Sequence, residues 1–259
     1  MHLGLTGRWA IIGASNRGLG RGCAEALAQA GCNVVINGLD AERLSQTAAA
    51  IDALGDGIVI PVAGDVADHA VQEDLFKACP HPDIVVTNNG GPPVASFEDL
   101  TADAILAGVR KNMITPIELI QRSLPGMQER RFGRIVNITS SSVLAPIPGL
   151  DVSSGARAGL TAFVAGVAKN AAAHGVTINN LLPGKMDTDR LRGNLDAQAQ
   201  RTGRTVDDVV KSSIAAIPAK RFGTADEFGA TCAFLCSVHA GYMTGQNVLL
   251  DGGLLGRAF

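Results

Sequence analysis

Seven short aliphatic runs spaced along this chain constrain its fold more than any other feature. Arg8–Ile12, Asn33–Asn37, Ile58–Val62, Ile84–Thr87, Arg134–Ile138, Thr177–Leu182 and Asn247–Leu250 are four to six residues each and rich in Val and Ile. They lack polar alternation, so they read as strands buried on both faces of a parallel sheet. The segments between them predict helices over Gly18–Ala30, Ala41–Ala53, Ala67–Cys79, Ala102–Lys111, Thr115–Gln128, Ser153–Ala173 and Ala225–Cys236. Regular alternation of this kind implies right-handed crossovers and leaves two architectures of this size: an α/β barrel or a doubly wound open sheet.

The residues after the first run decide between them. IIGASNRGLG places Gly13, Gly18 and Gly20 directly between a strand and a helix. Gly13 lets the chain turn off the strand, while Gly18 and Gly20 let backbone approach a pyrophosphate at the helix N-terminus. The spacing is not G-x-G-x-x-G, and its position carries the signal. Ser15, Asn16, Arg17 and Leu19 fill the same loop and join the candidate cofactor contacts. The expectation is therefore α/β: one Rossmann-type domain over residues 1–259, a doubly wound parallel sheet of about seven strands. Gly184–Pro218 is the least regular stretch, polar in its middle and interrupted by Gly193 and Gly203. Inside a compact domain it reads as a substrate lid around 184–218.

Composition narrows the partners. With 22 basic and 24 acidic residues the net charge is −2, so no basic field points to nucleic acid or to anionic lipid. No run approaches the ~18 apolar residues of a membrane span. The first residues lack a charged segment followed by a long apolar one, which argues against a signal peptide. Five scattered cysteines, an odd number, read as buried thiols in a reducing, cytoplasmic compartment. Cys232 and Cys236 stand one helical turn apart, but no His or second Cys pair completes a metal site.

Over nearly its whole length the sequence resembles the short-chain dehydrogenase/reductase family, most of all its 3-oxoacyl-carrier-protein reductase branch. Gly13, Gly18 and Gly20 match the family's glycine motif, and Asp65 with Val66 match the pair that flanks the adenine. Asn88-Asn89-Gly90-Gly91 stands for its Asn-Asn-Ala-Gly segment, and Asn112 for its catalytic Asn. IVNITSSS supplies the serine segment, and Pro183, Gly184 and Thr188 the Pro-Gly-x-x-x-Thr turn. The resemblance implies a nicotinamide cofactor. The acid that would bind the ribose 2′-OH of NAD is replaced by Gly38, and Arg17 resembles the basic residue of NADP-preferring members, so the expectation is NADP rather than NAD.

The family's catalytic Tyr stands thirteen residues after its Ser and four before its Lys. Anchored on Arg157–Leu160, that spacing puts Ser140 at the Ser position, Ser153 at the Tyr position and Arg157 at the Lys position. The only tyrosine, Tyr242, lies in the C-terminal segment and has no Lys four residues on. A seryl hydroxyl is shorter and far less acidic than a phenol, and Arg does not give up its proton near neutrality. Three readings stay open. Ser140, Ser153 and Arg157 stabilise the oxyanion while water supplies the proton. Alternatively, Lys185, or less well Asp151, replaces the tyrosine. The third is a non-catalytic dinucleotide-binding protein of the same fold. In the family the small-residue helix over Ser153–Ala173 and the long helix before it form a subunit interface, so the resemblance implies a homodimer or homotetramer.

Overall fold

The structure is a computed structural model and describes residues 2–256. Its strands are β1 (Trp9–Ile12), β2 (Asn33–Gly38), β3 (Val59–Ala63), β4 (Ile84–Thr87), β5 (Gly133–Ile138), β6 (Val176–Pro183) and β7 (Asn247–Leu250). They form one seven-stranded sheet, order β3-β2-β1-β4-β5-β6-β7, with every pairing parallel. This is a single-domain Rossmann-type α/β fold. Its order reverses between β1 and β4, where such sheets open a crevice at their carboxyl edge.

The absence of polar alternation has its cause in two cores. Ala10 and Ile12 of β1, Val34 and Ile36 of β2 and Ile84 and Val86 of β4 enter one apolar cluster, with α1 (Gly18–Gln29), α2 (Ala41–Asp52) and α9 (Ala225–Cys236) above it. Ile11, Val35 and Val85 point the other way, into a cluster with α3 (His69–Ala78), α5 (Thr115–Glu129) and α6 (Asp151–Ala171). Two-residue periodicity thus distributes each strand over both layers. On the first face α1 and α9 cross glycine against glycine. A Cβ at Gly229 would strike the Gly22 carbonyl, and one at Gly22 the Ala225 carbonyl.

Register toward β7 is fixed by side chains as well as backbone. Thr87 Oγ1 donates to Asn137 Oδ1 at 2.7 Å, Asn137 Nδ2 to Asn180 Oδ1 at 2.9 Å, and Asn180 Nδ2 to Asn247 Oδ1 at 2.8 Å. Any slip of one strand would break this chain, leaving the buried Asn137 and Asn180 amides unpaired at about 1–3 kcal/mol each.

Four segments depart from the sequence-based expectation. The helix expected over Ala102–Lys111 ends sooner, as α4 (Ala102–Val109), and passes through a π turn (Arg110–Ile114) into α5. The stretch read as least regular holds two helices, α7 (Asp189–Thr202) and α8 (Val206–Ala215), each N-capped by a threonine, Thr188 and Thr205. Gly203 ends α7 in the left-handed region at φ 65°, whereas Gly193 sits inside it. Finally, α6 starts at Asp151 and α3 at His69, two residues from their expected starts. No helix among the described residues is long and apolar enough to cross a membrane. All five cysteines are buried and free, and burial pushes the thiols of Cys32 and Cys79 up to about 12.

Candidate active site

Every candidate residue follows the end of a strand or sits on a helix that returns to that edge. At β1 the chain must leave the sheet and begin α1 within a few residues. Gly13 does so with ordinary φ; the positive φ falls on Ala14 (42°) and Gly18 (57°). Gly13 is required for another reason. A Cβ there would stand 2.5 Å from the Asn88 carbonyl, and one at Gly20 would meet Ala14 O and Asn88 Nδ2. Asn88 Nδ2 donates to Ala14 O at 3.1 Å and so ties the loop after β4 to the glycine turn.

The rest of the turn divides into residues used by the fold and residues left open. Ser15 is fully buried: its hydroxyl donates to Ile12 O at 2.8 Å and accepts from Asn37 N at 2.9 Å. The Asn16 side chain lies over Gly38, where a Cβ would stand 2.6 Å from Asn16 Cγ, so a larger residue at the end of β2 would displace Asn16. Nearby Asp40 does not face the cleft as a free acid, because its carboxylate accepts from Arg43 N and caps α2. Arg17 and Arg43 converge instead on one oxygen of Asp189, at 3.5 and 3.4 Å. No side chain caps the N-terminus of α1 and no acid lies in its first turn. A cleft of about 310 Å³ lies beside that end, bordered by Arg17, Gly18, Thr188 and Asp189. Leu19 is partly buried in the first turn.

Further along the edge, Asp65 Oδ2 accepts from Lys111 Nζ at 2.7 Å and Oδ1 from Ala67 N at 3.0 Å. Burial works against the Asp65 charge, but these two donors outweigh it and hold the carboxyl below its usual range. Val66 is buried. The π turn is held by Arg110, which donates to Ala67 O at 2.8 Å and pairs with Glu118. Such turns recur at functional sites because they re-aim one side chain out of helical phase. Here that residue is Asn112, 2% exposed, with Nδ2 reaching Gly90 O and Gly108 O at 3.4 Å. Its Oδ1 is buried without a partner among the described residues. Asn89 donates to Lys111 O at 3.4 Å, and Gly90 stands in open space.

Ser140 follows the end of β5 by two residues, and Arg157, one turn beyond Ser153 on α6, reaches back to the last carbonyl of the same strand. Arg157 Nε donates to Ser153 Oγ at 3.2 Å, and Nη1 to the Ile138 carbonyl. Ser140 Oγ accepts from Ser142 N at 3.1 Å. Both seryl oxygens therefore act as acceptors, and neither hydroxyl donates among the described residues. Arg157 is only 9% exposed and Ser153 5%. Burial, reinforced by the field of Arg190, pushes the Arg157 guanidinium down to about 10.

The turn after β6 closes the site. Gly184 N donates to Leu250 O at 2.8 Å, and a Cβ at Gly184 would strike Asp251, so β6 and the end of β7 meet tightly below Pro183. Thr188 caps α7, and its methyl lies 3.7 Å from where a Gly18 Cβ would stand. Lys185 does not join Ser153. Its ammonium donates to Ser213 Oγ of α8 at 2.6 Å, and burial lowers its pKa. Asp151 is exposed at the start of α6, beside a cleft of about 830 Å³ that Val94, Phe97 and Ile147 also line. Tyr242 is fully exposed, and residues 243–245 after it are pinned to Ile178 and Asn179 in the first half of β6. That is the edge of the sheet opposite Ser153. Sequence reasoning missed Arg190, whose Nη1 and Nη2 donate to Gly91 O and Pro92 O at 3.0 and 3.1 Å. Only the adjoining Thr188 hinted at it.

Residues 13–255 match the family model described as Enoyl-(Acyl carrier protein) reductase. The chain is 31% identical over 256 residues to D-beta-hydroxybutyrate dehydrogenase of Cupriavidus necator, covering 96% of this chain and 98% of that one. It is 29% identical over 255 residues to the 3-oxoacyl-[acyl-carrier-protein] reductase FabG of Pseudomonas aeruginosa, covering 97% and 99%. L-Sorbose reductase from Gluconobacter frateurii, solved with NADPH and L-sorbose, is similar in structure with a TM-score of 0.92 at 25% identity, over 99% of this chain and 100% of that chain. The chain therefore belongs to the short-chain dehydrogenase/reductase family, in its 3-oxoacyl-carrier-protein reductase-like branch.

Proposed function

We propose that this chain is an NADP-linked oxidoreductase that interconverts a carbonyl and a hydroxyl, with Ser153 and Arg157 standing where its family keeps Tyr and Lys. The single observation that carries the reading is the bond from Arg157 Nε to Ser153 Oγ. Because Ser153 accepts from a cation, its own proton is left to donate and its O–H is made a better donor. Ser140 accepts from the neutral Ser142 amide, and its own proton is likewise left to donate. Two hydroxyls with free protons and a buried cation behind them form a receptor for a developing alkoxide.

The cofactor fits the residues present. The uncapped amides of α1 and the Gly13–Gly20 turn would hold the pyrophosphate, with Thr188 closing over it. Asp65 and Val66 would flank the adenine, Asn89, Gly90, Pro183 and Gly184 the nicotinamide half, and Arg17 with Arg43 the 2′-phosphate. Leu39, in the place of a further basic residue, is exposed and apolar. NADPH-linked relatives support this choice: NADPH-dependent reductase BacG of Bacillus subtilis is 28% identical over 251 residues. When bound, the nicotinamide supplies or accepts the hydride. The protein's part is to orient the substrate oxygen on Ser140 and Ser153 and to admit a water for the final proton. Asn112 Oδ1, a buried acceptor without a partner, is suited to hold that water.

The segment around 184–218 acts in this reading as the substrate lid, carried by α7 and α8. The protein works as a homodimer or homotetramer in the cytoplasm, acting on a small molecule. The exposed face of α6, with Phe163, Gly155 and Gly166 open around it, supports association. The test is NADPH oxidation across a panel of ketones, aldehydes and β-ketoacyl thioesters. Turnover of at least one compound is expected. Stoichiometric NADPH binding with no oxidation of any would overturn the reading in favour of a binding protein.

A further inference from the structure

We infer that Asp189 sets how strongly this chain prefers a 2′-phosphorylated cofactor, because its carboxylate holds, from the lid side, the two arginines that would receive that phosphate. The inference rests on the NADP reading for where the phosphate goes, and on the observed ion pairs for what stands in its place.

Three consecutive residues dock the start of α7 across the cofactor cleft, each on a different element. The Thr188 methyl stands over Gly18 in the glycine turn, and Arg190 donates to Gly91 O and Pro92 O past β4. Between them, Asp189 Oδ2 lies 3.5 Å from Arg17 Nη1 and 3.4 Å from Arg43 Nη2. Arg17 precedes α1 and Arg43 lies in the first turn of α2, so one oxygen ties the lid to the two segments that follow β1 and β2. Of the three contacts only this one joins opposite charges.

Arg17, Arg43 and Asp189 all line the cleft of about 310 Å³. Its other charged groups, Arg21, Glu25 and Asp187, are paired within their own segments. Arg21 donates to Glu25 along α1 at 2.7 Å, and Asp187 takes two bonds from Arg192. Arg17 and Arg43 reach across the cleft instead, and neither side chain has another acceptor among the described residues. Their shared oxygen is held more loosely than the ~2.7–2.9 Å usual between cation and carboxylate. Two guanidiniums on one carboxylate also leave the site net positive. A phosphate monoester, with about −1.5 to −2 charges and three acceptor oxygens, matches two such forks better than one carboxylate oxygen does. A 2′-phosphate must therefore take the arginines from Asp189, whereas a cofactor with a plain 2′-hydroxyl leaves the pairs intact. The carboxylate opposes the phosphorylated cofactor alone.

The test reads binding and needs no turnover. Adenosine 2′,5′-bisphosphate and 5′-AMP differ only in the 2′-phosphate. Each is titrated by calorimetry into the full chain at about 20 mM salt, where exposed charges are little screened. Asp189→Asn is expected to tighten the bisphosphate about three- to tenfold, the modest scale of exposed ion pairs, and to leave AMP within about twofold. Asp189→Glu, which keeps the charge, should stay within about twofold of wild type for both. In an Arg17→Ala/Arg43→Ala background, Asp189→Asn should change bisphosphate affinity by less than about twofold, since nothing is left to compete for. A gain shared equally by AMP, or reproduced by Asp189→Glu, would overturn the proposal and make Asp189 a structural restraint on α7. A gain that persists without the two arginines would overturn it in favour of a distant charge effect. No gain, in a wild type that does prefer the bisphosphate, would sink this proposal and leave the NADP reading standing. If neither wild type nor Asp189→Asn favours the bisphosphate over AMP, the NADP reading falls with it.

Discussion

Arg157 Nε donates to Ser153 Oγ across one turn of α6 at 3.2 Å, and the same guanidinium is anchored on the Ile138 carbonyl at the end of β5. A helix and a strand thus hold one hydroxyl in a single orientation. The pair occupies the spacing of the family's Tyr and Lys but differs in chemistry. Its proton donor is neutral and short, and its cation is permanent near neutrality.

The pH dependence follows from that cation. Arg157 is depressed by burial first and by Arg190 second, to about 10. Below about 10 it is charged in both the folded and the unfolded chain. Between about 10 and the ordinary arginine value the folded chain releases the proton first, so this group alone makes the fold more stable as pH rises through that window. Activity should move the opposite way: kcat measured from about pH 6 to about pH 11 is expected to fall as pH rises through about 10. A break near neutrality instead would assign the titrating group to some other residue.

In the proposed reading cofactor choice rests on Arg17 and Arg43, which share the Asp189 carboxylate. Replacing either with Ala should weaken NADPH by about tenfold and leave NADH within about twofold. Fluorescence titration of both cofactors measures it. Equal losses for the two would show that the arginines serve only the contact to α7.

The crossing of α1 on α9 has no room for a methyl group. Gly229→Ala would press a Cβ onto the Gly22 carbonyl. Overpacking of this kind costs about 1–3 kcal/mol, which for a chain of this length lowers Tm by about 2–10 °C. An unchanged Tm in calorimetry would mean that the helices separate freely.

Association is checked by mass in solution. A dimer or tetramer is expected at micromolar concentration, and Phe163→Glu on the exposed face of α6 should shift it toward monomer. A wild-type monomer at that concentration counts against the oligomeric reading.

Much of the architecture could be read before any coordinates. Each of the seven strands lies within one residue of its aliphatic run at either end; the central five are buried on both faces, whereas the edge strands β3 and β7, read as buried, are partly exposed. The π turn at Arg110–Ile114 could not be read, since side-chain periodicity does not register one extra backbone residue per turn. Helices α7 and α8 were obscured by polar sequences that cover little core, although Thr188 and Thr205, each followed by acids, were readable start signals. In the site, the spacing of Ser140, Ser153 and Arg157 was legible and so was the lack of a usable tyrosine. The destinations of Lys185 and Arg190 were not. One is drawn to Ser213 and the other to Gly91 and Pro92 by how α7 and α8 settle on the domain, which no local pattern encodes.

The most direct test compares kcat for the wild-type chain, Ser153→Ala and the double variant Ser153→Tyr/Arg157→Lys on one reducible carbonyl with saturating NADPH. If Ser153 and Arg157 are the working pair, Ser153→Ala loses about 10²–10³ in kcat, and the double variant falls below wild type because a phenol must enter a site closed around a serine. A double variant faster than wild type would contradict this, and would show the serine and arginine to be a degenerate remnant of the family's tyrosine and lysine.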